Sequence, residues 1–397
     1  MKKVLATILA LVMALSLTTA AWADDAGVTC NGENCTHAAE FNGKHYNHLV
    51  DAYAALTRGT TKPTTAEVIT LLKDSSGGGI GSDADTNMNY VIDFGGHTYT
   101  VGAPAVGSTG TVSQGLRVLK TSTAKFTNGT LKAANYNGLA QVVHTYGEVT
   151  FDSFNVDARE NSYAQIAVEP DCGTLNINGN SSILAREGMT GLYVAFWHTA
   201  TYDGTTVNVN TTGKITGKLV YEFDEDMTGD AAATENKAVL NITNGNFEIT
   251  DIQTLFTGVT NEELQQEKIT VTGGTFSRDV SDYVADNTPV ALKNDTDTFY
   301  VGAETIRNAA NNLPAGQQLR VVQGTVAING IEYSAGGNAT YTKPSSGGYY
   351  YYQPTTDTKT DDTKGSPKTF DAGVGIYAVT AVLSVTGMAW TAKKRGN

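Results

Sequence analysis

Charged side chains are scarce in this chain, and basic ones are scarcer than acidic ones. Only 17% of the 397 residues are charged, and 27 Lys and Arg stand against 40 Asp and Glu, which gives a formal net charge of −13. Proteins bind nucleic acids by neutralising phosphates with Lys and Arg. The shortage of basic residues therefore argues against nucleic acid as a partner and favours solubility and an attraction for cations.

Cysteine and proline are also rare, with 3 and 8 residues against 42 glycines, a balance typical of an extracellular β-protein. Cys30 and Cys35 flank a Gly/Asn turn, and in an exported chain they predict a small local disulfide. Zinc binding is the alternative, but Cys172 is distant in sequence and His37 alone would not complete a closed site. Cys172 itself is expected to be a small buried side chain rather than a nucleophile.

Long apolar runs occur near the two ends of the chain. Lys2 and Lys3 precede an apolar run over 4–17, which is followed by Ala21-Trp22-Ala23. A basic start, a short apolar run and a small-x-small site form the pattern of a secretory signal. The sequence therefore predicts a signal peptide over 1–23 and an exported region of about 340 residues between the two apolar ends.

The second run, over 372–392, contains no ionisable residue except Tyr377. A helix of that length, at about 1.5 Å per residue, spans the roughly 30 Å hydrocarbon core of a bilayer. Three basic residues follow at once and predict that the tail, 393–397, stays in the cytoplasm. The sequence thus predicts a C-terminal transmembrane helix that holds the chain at the extracellular face of the membrane.

The segment 366–371, Ser-Pro-Lys-Thr-Phe-Asp, directly precedes that run. A Pro-x-Thr motif, an apolar span and a basic end together resemble the cell-wall sorting signal of Gram-positive surface proteins. The resemblance implies that a sortase attacks the Thr369 carbonyl and transfers the chain to peptidoglycan, with Pro367 setting the bend. Ser366 and Phe370 replace the Leu and Gly of the family's Leu-Pro-x-Thr-Gly motif, so a plain membrane anchor remains the alternative.

A repeated pattern fills the middle of the chain: apolar-x-apolar, two or three residues, then Gly-x-apolar. Its copies begin at Ile92, Ala124, Val149, Leu175, Val207, Leu240 and Ile269. The copies follow one another at roughly 25–33 residues, within the range of stacked supersecondary units. Each copy predicts two short strands with one apolar face, joined by a corner at which glycine takes positive φ.

Such copies bury their apolar faces only by stacking, so the sequence predicts an all-β solenoid, a right-handed parallel β-helix. The spacing and the phrases GTLNINGNSSI and ITVTGGTFS resemble pectate-lyase-like surface proteins over 67–300. A string of antiparallel β-sandwich modules is the alternative, but sandwiches show turn signals about every 8–12 residues.

The remaining boundaries follow from composition and turn signals. Residues 24–73 are predicted to be an N-terminal segment and cap, with a short helix whose N-cap is Asn47. The β-helix covers 74–300, and a small C-terminal α/β cap with a helix and an Asn-Gly hairpin covers 301–342. Residues 343–365 hold too few apolar side chains to order themselves and are predicted to be a disordered stalk.

Two acidic segments are candidates for calcium, which prefers oxygen ligands. The first is a cluster in the long insertion between two copies: Asp224, Glu225, Asp226 and Asp230. A solvated acidic loop is the alternative for that cluster. The second, 83–89, begins with the Asp-x-Asp-x-Asn pattern of a calcium loop but lacks the glycine and the final glutamate of that motif. Apart from calcium, no cofactor is predicted.

Asp152, Asp157 and Arg159 are the candidates for catalysis. Pectin-degrading β-helices, which the chain resembles, use carboxylates with calcium, or paired aspartates, together with a basic residue. Glycoside hydrolysis would require the two carboxylates to face each other across about 5–9 Å. The alternative is that Asp157 and Arg159 form a surface ion pair.

Aromatic side chains are densest over 193–202, where Tyr193, Trp197 and Tyr202 could stack on sugar rings. Packing in the core is the alternative for each of them. His97, His144 and His198 lie scattered between copies without a serine or cysteine partner, so no catalytic role is predicted for them.

The sequence therefore predicts a surface-displayed binding or adhesion module, without catalysis, whose partner is a glycan or a host-surface protein. A polysaccharide lyase or glycoside hydrolase of the β-helix type is the first alternative, and a structural cell-wall spacer is the second. The glycan partner is inferred from fold analogy alone.

Overall fold

The computed structural model describes residues 27–30, 35–108, 111–195, 204–224, 238–257, 268–293 and 296–345. All of these residues belong to one compact unit of the chain, Met1–Gly347. The predicted signal peptide, the stalk beyond residue 345, the sorting motif with Pro367 and Thr369, the transmembrane helix over 372–392 and the basic tail lie outside these residues. Within the described part of the chain, none of the helices has both the length and the apolar character needed to cross a membrane.

Strands dominate the described residues, which confirms the all-β class. The helices in this part of the chain are α1 (Leu49–Ala54) and α2 (Ala303–Asn312), and a 3-10 turn covers Ser281–Tyr283. The strands, in chain order, are β1 (Ala39–Phe41), β2 (Lys44–Tyr46), β3 (Glu67–Leu71), β4 (Ser75–Gly77), β5 (Asn89–Asp93), β6 (Thr98–Val101), β7 (Gln114–Val118), β8 (Thr123–Ala133), β9 (Gln141–Thr145), β10 (Glu148–Asp157), β11 (Ile166–Pro170), β12 (Gly173–Gly179), β13 (Ile183–Leu184), β14 (Thr190–Val194), β15 (Thr205–Asp224), β16 (Ala238–Thr257), β17 (Ile269–Val271), β18 (Gly274–Phe276), β19 (Val290–Lys293), β20 (Phe299–Val301), β21 (Gln318–Gln323), β22 (Thr325–Ile328), β23 (Ile331–Ser334) and β24 (Thr340–Thr342).

Most strands are stacked in three parallel ladders. The first ladder contains β3, β5, β12, β17 and the opening parts of β8, β10, β15 and β16. The second contains β4, β6, β13, β18 and the next parts of the same four long strands. The third contains β7, β9, β11, β14 and the ends of β15 and β16. Each copy of the repeat except the last, which begins at Ile269 and contains only β17 and β18, therefore supplies three strands, whereas the sequence pattern predicted two.

The copies found in the sequence align with one another in the structure. Equivalent first positions lie opposite each other in the ladder: Ala124, Val149, Leu175, Val207, Leu240 and Ile269. The opening copy is the exception, because Tyr90 pairs with Ala124 and Ile92 pairs with Phe126. The predicted start at Ile92 is therefore wrong by two residues, a slip that leaves the inward face unchanged because side chains alternate with a period of two.

The inward positions of the copies form one continuous interior with stacked aromatic rings. Phe126 lies 6.1 Å between centroids from both Tyr90 and Phe151, in edge-to-face contacts with its neighbours in the ladder. Phe154 fills the adjacent corner, 5.6 Å from Phe126. All four rings are buried. Large rings in edge-to-face contact supply much of the apolar area that such a stack buries.

The corners between the first and second ladders take positive φ, but glycine does not supply it in every copy. Asn128 (φ 56°) and Ser153 (φ 57°) hold this conformation in two copies, and Gly179 (φ 67°) holds it in the next. In the Asn128-Gly129 pair the asparagine, and not the predicted glycine, is the left-handed residue. Asparagine reaches that region more readily than most side chains, because its short amide can bond locally.

A hairpin and a helix cover the N-terminal end of the first ladder. β1 pairs antiparallel with both β2 and β3, and α1 buries Leu49 and Tyr53 beside them. Helix α1 starts after His48, whose backbone is extended, so the prediction of Asn47 as N-cap is wrong by one residue. An end covered in this way offers fewer unpaired backbone groups to other chains.

The C-terminal end is covered by a small antiparallel sheet and α2. β18 pairs antiparallel with β20, and β19, β21 and β24 extend that sheet. Helix α2 packs on a second hydrophobic cluster, which includes Ile306, Leu319 and Tyr341. The β22–β23 hairpin turns at Asn329 and Gly330, both with positive φ as a type I′ turn requires. The predicted helix and hairpin are both confirmed.

Candidate functional site

The predicted catalytic residues are not brought together. Strand β10 turns its corner at Ser153, so Asp152 lies in the first ladder and Asp157 in the second. Asp152 Oδ2 accepts a hydrogen bond from Lys125 Nζ at 2.6 Å. Arg159 donates to Asp157 through Nε at 2.9 Å and Nη2 at 2.8 Å, and this holds the pKa of Asp157 below its usual range. The ion pair that sequence analysis offered as the alternative is the arrangement observed.

Several predicted site residues lie outside the described part of the chain: Glu225, Asp226, Asp230, Trp197 and Tyr202. Asp224 is the last residue of β15, so the calcium cluster remains a prediction. Tyr193 lies half-buried in β14, between β11 and the end of β15. The sugar-stacking surface around it also remains a prediction.

The second calcium candidate, 83–89, is engaged by protein donors. Asp85 is buried and accepts hydrogen bonds from Tyr53 Oη at 2.8 Å and Arg58 Nε at 2.8 Å. Asp83 accepts one from Arg117 Nη1 at 2.6 Å, which holds the pKa of Asp83 below its usual range. These carboxylates fasten the segment to the fold and are not arranged as a calcium loop.

Cys30 and Cys35 are not joined by the predicted disulfide in this structure. Both thiols are free and their sulfurs lie 2.7 Å apart, beyond the roughly 2.05 Å of an S–S bond. Cys35 Sγ also lies 2.7 Å from His45 Nδ1 and 3.2 Å from His37 Nδ1, and Cys30 Sγ lies 3.1 Å from His37 Nδ1. Strand β2 thus supplies the second histidine that sequence analysis did not associate with the cysteines.

The contact between the two thiols shifts their pKa values in opposite directions. Burial raises the pKa of Cys35, but hydrogen bonds with Cys30, His45 and His37 lower it, and the net pKa is about 6. The hydrogen bond with Cys35 raises the pKa of Cys30 to about 11. The pair therefore loses its first proton more readily than an isolated thiol does and its second less readily.

A second polar group is buried along the third ladder. His144 Nε2 lies 2.6 Å from Asp171 Oδ2, and Gln114 Nε2 lies 2.7 Å from His144 Nδ1. Gln141 Nε2 donates to Glu169 Oε2 at 2.5 Å. Sequence analysis missed this group because its members come from three copies and meet only when the strands stack.

The buried group contains the features of an acid–base site without an open approach. Burial and the negative charge of Asp171 together raise the pKa of Glu169 to about 7. Asp171 Oδ1 and Gln114 Oε1 are buried without a hydrogen-bond partner in the described structure. The side chains of His144 and Asp171 are only 5% and 4% exposed, so a substrate would reach them only after a covering segment moved.

An open cleft lies where the parallel ladders meet the C-terminal sheet and α2. Its volume is about 450 Å³, a size typical of small-ligand sites. Tyr300 contributes an aromatic ring and Lys293 the only charge among its lining residues. The other polar lining groups are amides and hydroxyls: Thr212, Asn244, Asn246, Thr275, Thr305, Asn308 and Asn312.

Several polar groups of this cleft are not used by the fold. Among the described residues, the side chains of Asn246 and Asn308 and the Tyr300 hydroxyl form no hydrogen bond with one another or with the rest of the chain. Burial raises the pKa of Tyr300, so its hydroxyl keeps its proton and remains a donor. Each free amide offers two N–H donors and a carbonyl acceptor to a bound molecule.

Comparisons with protein-family models, with curated proteins and with solved structures found no match to this chain. Its function therefore has to be inferred from the chemistry of these sites.

Proposed function

We propose that this chain is an exported surface protein whose strands wind as a right-handed parallel β-helix and whose cleft beside α2 binds a glycan. Three parallel ladders support the β-helix, and each is entered once by every copy except the one that begins at Ile269, which enters two of them. Right-handed winding is favoured because crossover connections between parallel strands of one sheet are right-handed in about 98% of cases. Export and display at the cell surface rest on the predicted signal peptide and C-terminal anchor.

The unused amides of the cleft are the observation that carries the glycan proposal. Sugar hydroxyls both donate and accept hydrogen bonds, and the side chains of Asn246 and Asn308 can answer both roles. The Tyr300 ring offers an apolar surface for a sugar face, with its hydroxyl beside it. Lys293 would favour a sugar that carries a carboxylate, because its ammonium is the only charged group among the described residues that line the cleft.

Glycan microarrays probed with the purified full-length chain test this proposal. Asn246→Ala and Asn308→Ala should each weaken binding by about tenfold or more, since each leaves ligand hydroxyls unpaired in the complex. Asn180→Ala, at an exposed position just after β12, is the matched control and should bind as the unaltered chain does. Binding to a protein partner alone would contradict the glycan assignment, and the absence of any ligand would favour a structural spacer.

A polysaccharide lyase or glycoside hydrolase is the second candidate, and the buried Glu169–Asp171–His144 group favours it. A carboxylic acid with a pKa near 7 holds a proton at neutral pH and can serve as a general acid. Release of unsaturated uronate or of reducing sugar from polysaccharides, abolished by Glu169→Gln, would support this activity. The binding function is preferred because the cleft is open and the acidic group is closed.

A further inference from the structure

The segment before β1 has little apolar burial to hold it in place. None of its described residues, 27–30 and 35–37, is buried, and Val28 is 46% exposed. Its backbone contact with β2 is a two-bond bridge, in which Val28 N donates to His45 O at 2.9 Å and His45 N donates to Val28 O at 2.7 Å. Lys73 Nζ also donates to Thr36 O. An additional contact is needed to fasten this segment to the ladder.

The backbone of the same region brings four ligand atoms together. The bridge between Val28 and His45 sets Cys30 beside β2, and Ala38 N donates to Tyr46 O at 2.8 Å, which places the preceding His37 at the same hairpin. Cys30, Cys35, His37 and His45 each offer one ligand atom, a sulfur or an imidazole nitrogen, and these four atoms lie within 4.8 Å of one another. The imidazole rings are inclined at 71° with their centroids 6.2 Å apart, so two separate Nδ1 atoms face the sulfurs.

Two sulfur and two imidazole ligands match the closed coordination set of zinc. Zn–S bonds of about 2.3 Å and Zn–N bonds of about 2.0 Å in a tetrahedron separate the ligand atoms by roughly 3.3–3.8 Å. The present separations, from 2.7 Å to within 4.8 Å, bracket that range. Calcium does not match this set, since it takes oxygen ligands and the four described ligand residues offer sulfur and nitrogen.

We propose that Cys30, Cys35, His37 and His45 form a structural zinc site that fastens the N-terminal segment to the β1–β2 hairpin. A disulfide would use only the two sulfurs and would leave both Nδ1 atoms facing sulfur without a bond, whereas a metal ion uses all four. Four protein ligands leave no position for a substrate, so the role is structural. The site fixes the segment against β2, where burial does not.

Metal analysis of the full-length chain, purified without chelators, tests the site. One zinc ion per chain is expected. The double variant Cys30→Ser/Cys35→Ser should lose it, and so should the single variant His45→Gln. His97→Gln, which changes a histidine outside the group, should keep the metal. Cobalt(II) added to the metal-free chain should give the visible absorption bands of a tetrahedral thiolate site. The His45→Gln variant, which should also contain no zinc, should not give these bands.

The histidine variant separates the metal from the disulfide. A disulfide between Cys30 and Cys35 does not depend on His45, so mass spectrometry of alkylated thiols would find it unchanged in His45→Gln. A metal-free chain that carries this disulfide and is unaffected by His45→Gln would overturn the proposal. Circular dichroism of each variant separates loss of the ion from loss of the fold, and zinc content of the unaltered chain decides the matter even if a variant does not fold.

Discussion

At the scale of single residues, Gly129 shows how a missing side chain sets the distance between neighbouring copies. A Cβ at this position would lie 2.3 Å from Phe94 Cβ and 2.5 Å from His97 O. The positive φ of the corner belongs to Asn128, so Gly129 is required for close approach rather than for its backbone conformation. The sequence pattern correctly indicated that this position requires glycine, but the predicted reason, a positive φ at the corner, is wrong.

Gly129→Ala should therefore destabilise the fold by about 1–3 kcal/mol, because either Phe94 or the adjacent backbone must shift to admit a methyl group. Urea denaturation followed by circular dichroism measures the change. Gly336→Ala is the matched control, since a Cβ there meets nothing within 4 Å. Equal midpoints for the two variants would contradict the packing argument.

At the scale of elements, the third ladder escaped the sequence pattern because its strands are buried on both faces. All five residues of β7 are buried, and in β9 and β11 the last four are, so no apolar–polar alternation marks them. Arg117 on β7 is covered through Asp83 and Ser108, to which its guanidinium donates at 2.6 Å and 2.7 Å. A polar residue such as Arg117, which is buried by loops from elsewhere in the chain, is predicted from the sequence to be exposed.

The same burial predicts a pH dependence for the third ladder. Burial and the charge of Asp171 raise the pKa of Glu169 from 4.5 to about 7, so the folded chain holds this proton more tightly than the unfolded chain does. The resulting stabilisation is full below pH 4.5 and is lost as the pH rises to about 7. The loss is on the order of 3 kcal/mol.

Glu169→Gln should remove that loss, because glutamine does not titrate. The difference in the free energy of unfolding between the variant and the unaltered chain should move in favour of the variant between pH 4.5 and 7, as measured by urea denaturation at several pH values. Glu148→Gln, at an exposed position of β10, is the control and should follow the unaltered chain. A pH slope that Glu169→Gln leaves unchanged would contradict the assignment.

At the scale of the whole molecule, the location of the chain depends on the terminal segments that sequence analysis predicts. A sortase would release the chain from its transmembrane helix at Thr369 and attach it to the wall, whereas a plain anchor would keep it in the membrane. The departures at Ser366 and Phe370 from the family motif make Thr369 the residue to test.

Thr369→Ala should move the chain from the wall fraction to the membrane fraction. The substitution removes the threonine of the Pro-x-Thr motif, so a sortase would no longer cleave the chain at this residue. Fractionation of cells after muramidase digestion, with immunodetection, measures the distribution. Thr363→Ala, in the predicted stalk, is the control. If the unaltered chain and the Thr369→Ala variant are both found in the membrane fraction, the plain anchor is supported. A chain retained inside the cell would contradict export.

The predicted sites and the observed sites differ for a common reason. Asp152, Asp157 and Arg159 were grouped because they are close in sequence, but a corner of β10 places the two carboxylates in different ladders. Cys30 and Cys35 lie side by side in the structure, but not as the disulfide that their spacing predicted. Their histidine partner from β2 was not found, because nearness across a hairpin is a property of strand pairing.

The sequence by itself determined the all-β class, the spacing of the copies, helix α2 and the Asn-Gly hairpin, because alternation, helical periodicity and turn chemistry are local properties of the chain. Only the tertiary structure decided the third ladder, the convergence of two histidines on two cysteines, the buried Glu169 group and the cleft beside α2. The ladder, the Glu169 group and the cleft join residues from different copies or caps, and the histidine–cysteine group joins the segment before β1 to strand β2. Their distances are set by how the strands stack, which no local pattern records.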